Sequence, residues 1–179
     1  FTLMEAADRN TQIQIELVNG IIHGFGIIFG IVGIPILIAF AIKSDNTPGV
    51  IGAAIYGFSF LQLFTFSTLY HSFQHVGAKR IFEILDHISI YFLIAGTYTP
   101  FLLIYMYNTF GITLLSVLWG LTALGIIFKI FFTGKWNIVS TLVYIAMGCI
   151  LIVGGRTFFD AIPQSILIMI LIGGVLYLL

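Results

Sequence analysis

The sequence predicts an all-α fold, a polytopic transmembrane helical bundle forming one domain over residues 1–179. Three observations carry that expectation. Of the 179 residues, 60% are hydrophobic and only 8% charged, with a mean hydropathy of +1.13, whereas soluble domains carry about 25% charged residues. The apolar residues form six long runs, 17–42, 50–73, 84–106, 110–132, 137–154 and 161–179, and about 20 apolar residues in a helix span a hydrocarbon core of ~30 Å. The links between the runs are short, which sets sequential helices antiparallel.

Each run has its own signals. Residues 1–16 form a polar amino-terminal segment. No short apolar core with a small-residue cleavage site opens the chain, so no removable signal peptide is expected. The first run carries Gly20, Gly24, Gly26, Gly30 and Gly33, a small-residue face suited to close helix packing. Pro35 in this run and Pro100 in the third are expected to kink their helices, with neighbours satisfying the freed carbonyls. The link 43–49 (KSDNTPG) is rich in turn formers. Residues 133–136 separate the fourth run from the fifth. The sixth run stops at 176–179 without a polar cap, and further chain is expected beyond it.

Charge sets the orientation and excludes some functions. Arg9, Lys79, Arg80, Lys129 and Lys135 fall on the side of the amino terminus, against Lys43 and Arg156 on the other. That excess predicts a cytoplasmic amino terminus, residues 1–16 included. With zero net charge and no basic tract, nucleic-acid binding has no electrostatic support. The single Cys149 leaves no intramolecular disulfide and no cysteine-based zinc cluster. No phosphate loop, nucleotide fingerprint or serine-nucleophile elbow is present.

The informative residues are Glu16, Asn19, His23, Ser67, His71, Asp86 and His87, polar groups inside or at the rims of the first three runs. An ionisable group in hydrocarbon costs about 2.5–3.5 kcal/mol on insertion scales and is tolerated facing a protein interior, a partner or a metal. Glu16, Asn19 and His23 are spaced i, i+3, i+7, on one helical face. Ser67, His71 and His75 are spaced i, i+4, i+8 on the next helix, and Asp86 and His87 open the third. An up-down-up topology brings all three sets to one depth of one leaflet. His, Asp and Glu at one depth are a ligand set for zinc or a similar divalent ion, with a carboxylate available as general base toward water. His71 is the best ligand candidate, flanked by Leu69 and Tyr70 in the apolar run. Ser67, one turn earlier, is placed to bond a bound water or fix the His71 ring. Ordinary structural roles also fit: Glu16, Asn19 and Asp86 as helix-start residues, His23 and His87 as packing histidines, His75 as a loop residue. The polar residues of the later runs, Ser116, Thr122, Ser140 and Tyr144 among them, do not line a full path, and the polar cluster sits at one leaflet.

The ordered set Glu16-x-x-Asn19 with His23, Ser67-x-x-Tyr70-His71, Asp86-His87-x-Ser89-Ile90 and Ala95-Gly96-Thr97-Tyr98-Thr99-Pro100 resembles the bacterial hemolysin III family, within the progestin and adipoQ receptor superfamily. The resemblance runs from about Glu16 to the end of the chain. It implies a seven-helix, multi-pass protein of the bacterial inner membrane with zinc near the cytoplasmic face. Carried over, His71 is the zinc ligand from the second helix, Ser67 and Asp86 complete the site as supporting serine and water-orienting carboxylate, and Glu16, Asn19, His23 and His87 are site support. The two remaining ligands, histidines in an H-x-x-x-H pair, belong to a seventh helix after the Gly173–Tyr177 stretch, and no histidine follows His87 here. The function so implied is zinc-dependent hydrolysis of a lipid amide or ester, with membrane lipids as partners. A zinc-stabilised membrane-state sensor or receptor and a pore-forming cytolysin are the alternatives.

Overall fold

With no water in a bilayer to satisfy free backbone groups, helices are the available way for such runs to cross. The computed structural model, which describes residues 2–133 and 136–178, is accordingly helical throughout. The helices are α1 (Thr2–Lys43), α2 (Thr47–Ser72), α3 (Val76–Tyr105), α4 (Thr109–Phe132), α5 (Asn137–Gly148), α6 (Ile150–Ala161) and α7 (Gln164–Leu178). The first four are long and apolar enough to cross a membrane.

The links end these helices by identifiable chemistry. Asn46 caps α2 by accepting the Gly49 N–H at 2.9 Å, with a proline in the first turn, and Asn108 caps α4 by accepting the Gly111 N–H at 2.9 Å. Asp45 takes φ of 51° in the α1–α2 turn, a left-handed conformation that a short polar side chain tolerates.

Contacts establish the up-down order. Gly20 lies against His71 and Ser72, Gly30 against Phe60 and Leu61, and Ile34 against Gly57, so α1 and α2 are antiparallel. Gly52 meets Pro100 and Gly96 meets Ser59, so α2 and α3 are antiparallel too. The central helix is α3: half of its apolar window is buried, against 6% for α1. Its inner face (Tyr91, Ala95, Tyr98, Leu102) joins Leu114 and Leu118 of α4 and Met147, Ile150 and Phe158 of α5 and α6 in the main apolar core.

Four features differ from the sequence expectation. α1 begins at Thr2 rather than with the apolar run, because the polar stretch before it is rich in good helix formers. α3 begins at Val76, capped by the His75 side chain, which accepts the Ala78 N–H at 3.5 Å. Lys79 and Arg80 are therefore helical residues rather than loop charges, and Asp86 and His87 lie about three turns in rather than opening the helix. The fifth run is two helices, broken at Cys149 (φ −89°, ψ 7°), where the Tyr98 hydroxyl binds the Gly148 carbonyl. Within α6, Gly155 adopts φ 50°, ψ −143°, open only to glycine without strain. Finally, the glycine face of α1 is narrower than expected. Gly20, Gly26 and Gly30 face α2, whereas Gly24 has open space around it and Gly33 meets only Phe29 of its own helix. Both proline-containing helices run on through Pro35 and Pro100. Of the charges used for orientation, Lys135 and the side chain of Arg9 lie outside the described residues, as does the Tyr177 side chain.

A Cβ at Gly26 would run into the Phe64 ring. Gly26→Val is expected to destabilise the bundle by about 1–3 kcal/mol through overpacking, and Gly24→Val to stay within about 0.5 kcal/mol. Denaturant unfolding in micelles measures both.

Candidate functional site

The stripe of α1 that faces α2 runs Glu16, Gly20, His23, Gly26, Gly30, in steps of three and four residues. Gly20 has no side chain to hold α2 away, so His71 and Ser72 come close to its backbone. The end of α2 and the start of α3, separated only by residues 73–75, complete the site at the same end of the bundle.

Glu16 is the junction of three helices. Its Oε2 lies 2.7 Å from His71 Nδ1 and its Oε1 accepts from Lys79 Nζ at 2.7 Å. A carboxylate paired with an ammonium is an acceptor only, so the ring nitrogen facing it is the donor. His71 thus presents Nδ1–H to Glu16 and keeps Nε2 for another partner. Lys79 Nζ also stands 5.0 Å from the Tyr70 ring centroid, a cation–π distance, and Tyr70 packs on His71 with ring centroids 4.8 Å apart.

A second polar chain runs beside the first. Ser67 is 3% exposed, and its Oγ lies 2.6 Å from His23 Nδ1. The His23 ring sits edge-on to Phe64, with centroids 5.9 Å apart, and 5.5 Å from His71. On the α3 side the Ser67 hydroxyl faces the Asp86 carboxylate. One serine therefore bridges a histidine of α1 and a carboxylate of α3. An ionised Asp86 accepts a hydrogen bond from the serine O–H, and His23 then donates to Oγ from Nδ1. Ser67 was expected to bond a bound water or fix the His71 ring; the histidine its hydroxyl meets is His23.

Glu16, His23, Ser67, His71 and Asp86 are thus brought together, and two other candidates are not. Asn19 borders a shallow groove on α1 with Thr11, Gln14, Ile15 and Val18. His87, about 100° around α3 from Asp86, faces another side of the helix. Its neighbours there are Lys129 and Glu83, and its carbonyl accepts the Tyr144 hydroxyl at 3.0 Å. His75 is the exposed cap of α3. Sequence reasoning missed Lys79, counted as a loop charge, and Lys129, counted as a helix-end charge although it is 2% exposed. The signal for Lys79 was the shortness of the polar link after His71.

Zinc fits these residues in part. The donor chemistry at His71 is that of a ligand: the second ring nitrogen is held by a carboxylate, which fixes the tautomer and leaves Nε2 to coordinate. Among the described residues, however, no group of three or more His, Cys, Asp or Glu is arranged to hold a metal ion. The site contains one prepared ligand with a carboxylate nearby, not a complete coordination sphere.

The family model described as Haemolysin-III related matches residues 11–179. Hemolysin-3 of Bacillus cereus is 43% identical over 176 residues, 98% of this chain and 80% of that protein. A Hemolysin-3 homolog of Bacillus subtilis (strain 168) is 41% identical over 165 residues, 92% of this chain and 78% of the relative. The monocyte to macrophage differentiation factor of Homo sapiens is 30% identical over 131 residues, 70% of this chain and 54% of that protein. No solved structure matches.

Ser67→Ala leaves the His23 nitrogen and Asp86 without the hydroxyl between them, and is expected to cost about 1–3 kcal/mol, the penalty for buried polar groups left unpaired. Thr68→Ala removes only a bond to the Phe64 carbonyl of its own helix, and is expected to cost about 0.5 kcal/mol or less. Equilibrium unfolding of the two variants, side by side, measures the difference.

Proposed function

The chain belongs to the Haemolysin-III related family of membrane proteins, and from that premise we propose that it is a zinc-dependent hydrolase of lipid amide or ester bonds in a bacterial membrane. The observation that carries the reading is the Glu16–His71 contact at 2.7 Å, which reserves one imidazole nitrogen and orients it. His71 would hold zinc through Nε2, and the remaining ligands would come from outside the described residues. When bound, zinc supplies Lewis-acid polarisation of the carbonyl and an acidified water.

The chain's own groups have distinct parts in this scheme. Asp86 accepts the proton of the attacking water, whose oxygen bonds to the carbonyl carbon. As the carbon–nitrogen or carbon–oxygen bond breaks, that proton passes to the departing amine or alcohol, and a fatty acid is the other product. Ser67, between His23 and Asp86, holds the carboxylate in its acceptor orientation. The apolar surfaces around the helices admit acyl chains from the bilayer, so the substrate is taken to be a membrane lipid. With the charge excess on the side of the amino terminus, the site opens to the cytoplasmic leaflet.

In the full-length protein, His71→Ala is expected to lose stoichiometric zinc by elemental analysis. Asp86→Asn is expected to retain the metal and lose hydrolysis by roughly 10²–10⁴-fold, the usual worth of a positioned general base, whereas His75→Ala should leave both unchanged. Turnover is read on ceramide-like amides and phospholipid esters. Zinc without turnover on that panel would favour a membrane-state sensor. Full activity in Asp86→Asn would remove the base from the mechanism, and dye release from vesicles without hydrolysis would favour a pore.

A further inference from the structure

Lys79 closes a ring of contacts at the end of the bundle. Lys79 Nζ meets Glu16 Oε1 at 2.7 Å, and Glu16 Oε2 meets His71 Nδ1 at 2.7 Å. His71 packs on Tyr70 with centroids 4.8 Å apart, and Tyr70 returns to Lys79 Nζ at 5.0 Å. Three helices supply the members: α1 gives Glu16, α2 gives Tyr70 and His71, and α3 gives Lys79.

We propose that Lys79 is a positioning residue, which through Glu16 holds the His71 ring with Nδ1–H on the carboxylate and Nε2 turned to the site. The two oxygens of one carboxylate set the geometry. Glu16 keeps 24% of its side-chain surface exposed, so a single hydrogen bond to an imidazole leaves it free to swing toward solvent about its side-chain torsions. The ammonium on the second oxygen removes that freedom. It arrives from the first turn of α3, a different direction from His71, and the Tyr70 face limits where it can stand. With both oxygens engaged, the carboxylate plane is set, and the ring facing it has one arrangement available: donor at Nδ1, lone pair at Nε2. Without Lys79 the carboxylate turns away, and the ring distributes over both tautomers and over other rotamers. What Nε2 is used for rests on the metal reading above, but the tautomer is set whether or not a metal binds.

The test reads the ring directly. Full-length protein labelled with ¹⁵N-histidine is reconstituted in lipid vesicles, stripped of metal with a chelator and held at one mildly alkaline pH. The His71 resonances are assigned by their disappearance in His71→Gln. The wild type is expected to show a protonated Nδ1 and an unprotonated Nε2. Lys79→Arg, which keeps a charged donor, is expected to preserve that pattern, and Lys79→Met to lose it in favour of a mixture of tautomers. Should Lys79→Met fail to fold, Lys79→Gln is read in the same way. A role confined to stability would lower the melting temperature in Lys79→Met without moving the nitrogen resonances. The proposal is overturned by an unchanged tautomer in the uncharged variant, or by a wild-type ring protonated at Nε2, alone or together with Nδ1. Zinc content and lipid turnover of the same preparations report on the hydrolase reading separately, so the two can fail independently.

Discussion

Both oxygens of Glu16 are committed, one to a histidine of α2 and one to a lysine of α3, and the end of the bundle is organised around that double commitment. A carboxylate among apolar helices is stable only with its charge matched and its lone pairs used. Removing one partner from a buried pair costs about 3–5 kcal/mol, and less here, where Glu16 and Lys79 each retain 24% exposure. The geometry follows from the need for partners. α2 must end near Glu16, α3 must begin there, and Gly20 must leave the gap through which His71 reaches α1. Only a part of α1 that is otherwise turned to lipid could take this role without competing with a packed core.

α3 divides the polar groups of the interior. Asp86 and His87 are neighbours in sequence, and the helical turn gives them different neighbours: Ser67 for Asp86, Lys129 and Glu83 for His87. The core that buries Tyr91, Tyr98 and Leu102 lies on the α4–α6 side, whereas the polar contacts of Glu16 lie on the α1–α2 side. Lys129 shows that the α4–α6 side is not purely apolar. Its side chain is 2% exposed, and the Glu83 carboxylate is the opposite charge that acts on it.

Much of the fold was legible because a bilayer simplifies the problem. Long apolar runs must be helices, and short links must reverse them, which is enough to bring residues of α1, α2 and α3 to one end. The gathering of Glu16, His23, Ser67, His71 and Asp86 is a consequence of that topology. Partner choice was not legible. Spacing along α2 pairs Ser67 with His71, yet the hydroxyl bonds to His23 across an interhelical gap whose rotation no single-helix periodicity encodes. Helix starts were not legible either, since hydropathy locates apolar residues and not hydrogen-bond ladders; hence α3 begins before its apolar run and Lys79 was read as loop. The break at Cys149 escaped for a related reason: a tyrosine hydroxyl from α3 takes the Gly148 carbonyl, and nothing local to 137–154 announces it.

Between Ser72 and Val76 lie three residues, and they act as a ruler. Surface links ordinarily accept insertions with little penalty, since closing a longer loop adds only about 0.6 kcal/mol per doubling. This one is different in kind. Each residue added would let the start of α3 rotate or withdraw relative to the end of α2, parting the lysine from a carboxylate that α1 and α2 together define. Among homologues that share the Glu16–His71–Lys79 arrangement, the count between the two helices is therefore held, as are a cap for α3 at 75 and an aromatic contact at 73, and an alignment gap at this point would mark a protein that has abandoned the arrangement altogether.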